Sequence, residues 1–204
     1  MISTHLPTRF CTLAFALALA LALVAGLAGC SKQDTPTAPS PSTVAVSSAQ
    51  SYDAVAKDGK GFTVGAVMST QTVYVLFDAQ CPHCGALWNA SLPLQKKVKF
   101  VWIPVSLMNA KSTLQGAALL TAANPQELMN AHEAALLAGT GGMVADASPS
   151  AETQAAIKAK TQLFNSLGAT SVPYIVAKNV RTGAVVTNAG ALQTPALAVL
   201  LGVD

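Results

Sequence analysis

Hydrophobic and polar positions divide the chain into three unlike stretches. Residues 10–27 are an almost unbroken apolar run of Leu and Ala. The run has no polar face, which excludes an ordinary surface helix, and it is long enough to span a bilayer. Residues 31–50 (SKQDTPTAPSPSTVAVSSAQ) have no apolar period, and their Ser, Thr, Pro and Ala content describes a flexible, partly extended tether. Periodic patterning begins beyond residue 50. The stretch 51–56 predicts the end of a short helix. The β-branched and aromatic run TVYVLF at 72–77 predicts a buried strand. A helix follows at 84–92, stopping before Pro93. A second strand is predicted at 98–105, with Pro104 marking its end or an edge. Helices are predicted at 112–123 and 125–137, the second capped by Asn124 with Pro125 in its first position. A third runs over 151–167, from Ser150 to Gly168. Strands at 172–178 and 184–188 flank a turn at Arg181-Thr182-Gly183, and Thr194-Pro195 opens a last helix to Leu201. The order is βα, β, helices, ββα, an α/β pattern without internal repeats.

Composition narrows the function classes. The 204 residues are 51% hydrophobic and 10% charged, which excludes a disordered chain. A net charge of +3 and 5% aromatic residues give no footprint for nucleic acid. Arg9 precedes the apolar run and Ala28-Gly29-Cys30 follows it, the layout of an export signal. An uncleaved anchor helix is the alternative. Leu27-Ala28-Gly29-Cys30 resembles the bacterial lipobox. That resemblance implies cleavage before Cys30, a lipid anchor on Cys30, loss of Cys11 and, with Ser31 next, the outer membrane rather than the inner. The expected organisation is a signal peptide at 1–29, a lipidated Cys and tether at 30–50, and one compact domain at 51–204, a length that supports a real core.

The folded part retains two cysteines, in Cys81-Pro82-His83-Cys84, directly after a predicted strand and at a helix start. With Cys81 as N-cap, Pro82 takes the first helical position, where its missing N–H is harmless. Free N–H groups and the helix dipole then favour the Cys81 thiolate, the reacting species. His83 adds a charge or donor beside it. Cys84, one turn on, is placed to attack a mixed disulfide formed at Cys81. A c-type haem site is excluded because Gly85, not His, follows Cys84. A zinc site would need Cys81, Cys84, His83 and His132 together, without a second CxxC pair. A structural staple closing so short a loop would stabilise by only about 2 kcal/mol. These two readings stay open beside thiol–disulfide exchange.

Phe77-Asp78-Ala79-Gln80-Cys81-Pro82-His83-Cys84 with Leu87-Trp88, then Trp102-Ile103-Pro104-Val105, then Leu167-Gly168-Ala169-Thr170 running into Val172-Pro173, resemble the Dsb thioredoxin-fold proteins, nearest the DsbG and DsbC branch. The resemblance covers most of residues 73–204. It implies a thioredoxin fold with an inserted helical subdomain at 112–167. It also implies a cis Pro173 beside Cys81, with the Val172 backbone left to pair with an extended substrate. DsbG and DsbC carry an N-terminal dimerisation domain for which there is no room between tether and Cys81, so a monomer is expected. Pro-His between the cysteines, and Val before the proline, resemble the oxidase DsbA instead.

The resulting expectation is a lipid-anchored, periplasmic thiol:disulfide oxidoreductase of DsbG/DsbC-like interchange or reductase type. Cys81 exchanges, Cys84 resolves, Pro82 and His83 tune, and Val172 with Pro173 shapes the substrate groove. A DsbA-like oxidase is the alternative, and a non-catalytic lipoprotein binding module is the alternative from another class. The partners are cysteine-containing exported proteins, a thiol-redox protein that recycles the dithiol, and the membrane through Cys30. No metal or cofactor is required beyond the dithiol. Asp78 is either a proton relay to Cys84 or a turn residue. Leu87, Trp88 and Leu92 read as one core-packing helix face. Lys96, Lys97 and Lys99 read as a solvated turn, and His132 as a surface or structural residue. Gly139–Gly142 lacks the Lys of a phosphate loop.

Overall fold

A computed structural model describes residues 47–145 and 148–203. The signal, Cys30 and nearly all of the tether lie outside the described residues. The chain enters the fold through helix α1, Ser48–Asp58, so the helix starts inside the segment assigned to the tether. Strand β1, Phe62–Gly65, follows. Its four residues, which follow Gly61 and end on Gly65, carry too little period to mark a strand in the sequence.

Strand β2, Thr72–Asp78, leads into α2, Pro82–Ser91, and a 3-10 turn at Leu92–Lys96. Strand β3, Lys99–Val105, then runs parallel to β2. Three helices separate it from the next strand: α3 Ala110–Thr121, α4 Pro125–Leu137 and α5 Ala151–Ser166. Strands β4, Tyr174–Lys178, and β5, Val185–Ala189, form an antiparallel pair before α6, Thr194–Leu201. The sheet order is β1-β3-β2-β4-β5. This is a thioredoxin-like α/β fold with a helical insertion between β3 and β4. Among the described residues no helix is long and apolar enough to cross a membrane.

β2 reads as continuous apolar sequence because both of its faces are covered. Val73, Val75 and Phe77 join Leu87, Trp88 and Leu197 on one side, while Leu76 joins Val55, Phe164 and Val176 on the other. An edge-to-face chain runs Phe62, Phe77, Trp102, Trp88, with centroids 6.0, 5.5 and 5.1 Å apart. Each such pair adds about 0.5–1.5 kcal/mol beyond area burial. Trp88 also donates from Nε1 to Asn130 Oδ1 at 2.8 Å, fixing α2 to α4. Leu92 departs from the expected face: the α-helix has ended by then, and its side chain is partly exposed. Pro104 ends no strand, but β1 stops opposite Trp102, so Pro104 lies past the reach of that neighbour.

The helix caps position the insertion. Asn124 and Ser150 cap α4 and α5 through Glu127 N and Thr153 N. α3 begins two residues earlier than the apolar pattern indicates, because Asn109 and Ser112 form a capping box.

Candidate active site

β2 delivers the chain to the active end of the sheet. Asp78 closes the strand and Cys81 N donates to Asp78 O at 3.0 Å. Cys81 is the N-cap of α2 and Pro82 occupies the first turn. The thiols of Cys81 and Cys84 are free in this structure, and both are buried, Cys84 fully. Pro82 and His83 are exposed above them.

The two sulfurs differ in kind. Cys81 titrates at about 6: the Cys84 thiol donates to it, and the N–H groups of Cys84 and His83 and the His83 charge add to this against an opposing burial effect. Cys84 is pushed well above the ordinary range, first by burial and then by its partnership with Cys81. One sulfur is therefore an anion near neutral pH, and the other holds its proton.

The opposite wall comes from the start of β4. The Val172–Pro173 peptide is cis, and Val172 O lies 3.7 Å from Cys81 Sγ. β4 begins at Tyr174 rather than residue 172, because Pro173 has no N–H for a ladder. Its carbonyl instead accepts from Gly190 N at 2.8 Å. Cys81, Cys84, Val172 and Pro173 thus converge.

The Asp78 carboxylate is fully buried and engaged with backbone. Oδ1 accepts from Gln80 N at 2.8 Å, and Oδ2 accepts from Leu107 N and Met108 N at 2.7 and 3.0 Å. It ties the Cys81 turn to the chain leaving β3, while its own backbone N–H favours a Cys84 thiolate.

Two buried residues of α4 lie beneath the cysteines. His132 is held between Ala79 O, 2.7 Å from Nε2, and Met143 N, which donates to Nδ1 at 3.1 Å. This pairing assigns a neutral ring protonated on Nε2, and burial lowers its pKa in the same sense. Of its two expected roles His132 has the structural one. Glu133, which is not among the site residues expected from the sequence, is the second. It is fully buried, and neither carboxylate oxygen has a hydrogen-bond partner. A Cβ on Gly85 would collide with its Oε2, so the glycine after Cys84 makes the room that the carboxyl fills. Burial, and then the Cys81 charge, raise Glu133 to about 8. One-turn periodicity from Met129 to Glu133 and Leu136 is the signal that the residue faces inward. Among the described residues no group of three or more His, Cys, Asp and Glu is placed to hold a metal.

A depressed thiolate at a helix N-terminus, a protonated partner thiol one turn on and a cis-proline wall define a thioredoxin-type dithiol centre. DsbG of Pseudomonas aeruginosa, a thiol:disulfide interchange protein, is 30% identical over 144 residues, 68% of this chain and 54% of DsbG. The solved catalytic domain of Proteus mirabilis ScsC superposes with a TM-score of 0.58 at 16% identity, covering 76% of this chain and 94% of that one. A periplasmic thioredoxin-like protein from Salmonella enterica serovar Typhimurium gives 0.59 at 17% identity, over 74% and 94%. The thiol-disulfide exchange protein alpha-DsbA2 from Wolbachia pipientis gives 0.56 at 16%, over 76% and 96%. No protein-family model matches the chain. The chain is a Dsb-like thioredoxin-fold protein, and it spans about half the length of the curated relative it matches.

Proposed function

We propose that this chain is a thiol:disulfide oxidoreductase acting on cysteine-containing exported proteins through Cys81 and Cys84. The observation that carries the reading is the placing of two free sulfurs, Cys81 as the N-cap of α2 and Cys84 one turn on, with Val172 O of the cis Val172–Pro173 wall 3.7 Å from Cys81 Sγ. In the reducing direction the Cys81 thiolate attacks a substrate disulfide, one substrate sulfur leaves as thiolate, and a mixed disulfide forms. Cys84 must then give up its proton to attack Cys81 Sγ. That attack releases the second substrate thiolate and leaves a Cys81–Cys84 disulfide, with two electrons passed to the substrate. Glu133 is the buried carboxyl beside this step: formation of the mixed disulfide removes the Cys81 charge that helps hold Glu133 protonated, and the carboxylate then released is the base for the Cys84 proton. A thiol-redox partner restores the dithiol, and no further cofactor takes part.

The likeness to DsbG, a thiol:disulfide interchange protein, supports interchange or reduction over strong oxidation. Equilibration with glutathione buffers tests this. A Cys81–Cys84 potential more reducing than about −180 mV is expected, while one near −120 mV would assign DsbA-like oxidation. Inert thiols would leave the binding-module reading.

The proposed location is the periplasm. The apolar run at 10–27 and the likeness to a periplasmic thioredoxin-like protein support it. Lipidation at Cys30 and the outer membrane are the finer reading of the same segment. Replacing Cys30 with Ser is expected to abolish lipid labelling in cells and move the protein out of the membrane fraction.

A further inference from the structure

A cavity of about 240 Å³ lies between α3 and the loop after α4, walled by Leu114, Met143 and Val144 with Lys111 and Gln115. It is smaller than the usual small-molecule site and suits one large side chain. Its position is fixed from the active-site turn. Gln80, next to Cys81, donates from Nε2 to Gln115 Oε1 at 2.6 Å and to Gly141 O at 3.0 Å. Gln115 in turn donates to Gly141 O and Met143 O, at 3.0 and 2.8 Å. His132 makes a second tie between the two, joining Met143 N to Ala79 O.

The sheet order sets the direction. Pro173 flanks Cys81 on the β4 side of β2, whereas the cavity lies on the β3 side, against α3. Exposed apolar side chains gather on that side as well. Val144 on the lip is 100% exposed, and Leu107 and Met108, whose N–H groups bond Asp78, are about half exposed. These side chains flank a cavity that is hydrogen-bonded to the Cys81 turn through Gln80, and they suit an apolar side chain of a partner.

We propose that this cavity is a substrate subsite, taking a large apolar side chain of the cysteine-containing polypeptide a few residues along the chain from its reacting cysteine. The inference rests on the exchange reading above. A peptide paired with the Val172 backbone and bonded to Cys81 continues over Gln80 into the cavity. Strand-like pairing supplies affinity and the cavity supplies side-chain choice.

The test uses the full chain, reduced, with cysteine peptides carried as glutathione mixed disulfides. Leu or Ser is placed in turn at each position from two to five residues to either side of the cysteine, and oxidised glutathione serves as the small substrate. In one register the Leu peptide is expected to react about tenfold faster than its Ser counterpart, the scale of burying part of a leucine. Val144→Asp, a change on a solvent-exposed lip, is expected to bring the ratio to near one and leave the glutathione rate unchanged. Equal Leu and Ser rates in the native protein, or a preference that survives Val144→Asp, would overturn the subsite. Failure to react with oxidised glutathione as well would overturn the exchange reading, and the subsite with it.

Discussion

Replacing Glu133 with Gln changes almost nothing in shape and removes one titration. The folded carboxyl titrates at about 8, raised by burial and by the Cys81 charge, against about 4.3 in an unfolded chain. Between those values the folded state holds a proton that the unfolded state has lost. Stability from this group is therefore full below about pH 4 and falls as pH rises, by about 1.4 kcal/mol per unit, until the folded pKa is passed. The whole window corresponds to about 5 kcal/mol. Water reaching the ionised carboxylate by local opening reduces this, so a loss of about 2–5 kcal/mol is expected.

Cys81 works in the opposite sense. Its pKa is lowered, so its contribution is lost as pH falls through about 6. That group is common to both proteins and largely cancels when their stabilities are subtracted. Urea unfolding of the native chain and of Glu133→Gln at intervals from pH 5 to 8.5 reads the difference. The variant is expected to gain on the native protein steadily toward pH 8, and its Gln amide, equally buried, shifts the whole curve without changing its slope. Parallel curves across that range would refute the argument, since they would mean that the carboxyl is paired or solvated in the folded protein.

Alkylation of Cys81 is expected to follow a thiolate with a midpoint near pH 6, and Cys84→Ala, by removing the largest stabilising donor, moves that midpoint upward in ultraviolet thiolate absorbance. Cys84→Ser is expected to accumulate mixed disulfides on Cys81, visible as thiol-sensitive bands on a non-reducing gel. Gly85→Ala places a methyl group against Glu133 Oε2 and is expected to destabilise by about 1–3 kcal/mol in urea unfolding; the double variant with Glu133→Ala relieves part of that loss. Asp78→Ala leaves three backbone N–H groups without their acceptor. A loss of about 2–4 kcal/mol and a slower Cys81 reaction are expected, measured by unfolding and alkylation rate.

The parts of this fold that a short window of sequence records are the parts that local physics decides. Asn124-Pro125 and Ser150 announce helix starts because capping needs only the residues next to it. TVYVLF announces a strand covered on both faces, and Cys81-Pro82 announces a thiol at a helix mouth. β1 escapes because its register is set by Lys99–Trp102, far along the chain, and not by its own four residues. The cis peptide at Pro173 follows only from family resemblance, as no local feature distinguishes it from an ordinary strand-opening proline.

The Glu133 carboxyl escapes for a related reason that bears on the chemistry. An acid in an amphipathic helix ordinarily faces water, and the next residue back, His132, looks equally unremarkable. Both are turned inward because α4 packs on α2 just where Gly85 offers no side chain. The thioredoxin-like sheet therefore holds the reactive sulfur and its proline wall, while the inserted helices supply the only buried carboxyl without a hydrogen-bond partner among the described residues, together with the cavity beside Gln80. If those are the features that set proton exchange and substrate choice, grafting Cys81-Pro82-His83-Cys84 onto a thioredoxin-fold host without the insertion transfers the low Cys81 pKa and neither the pH-dependent stability of Glu133 nor the peptide preference.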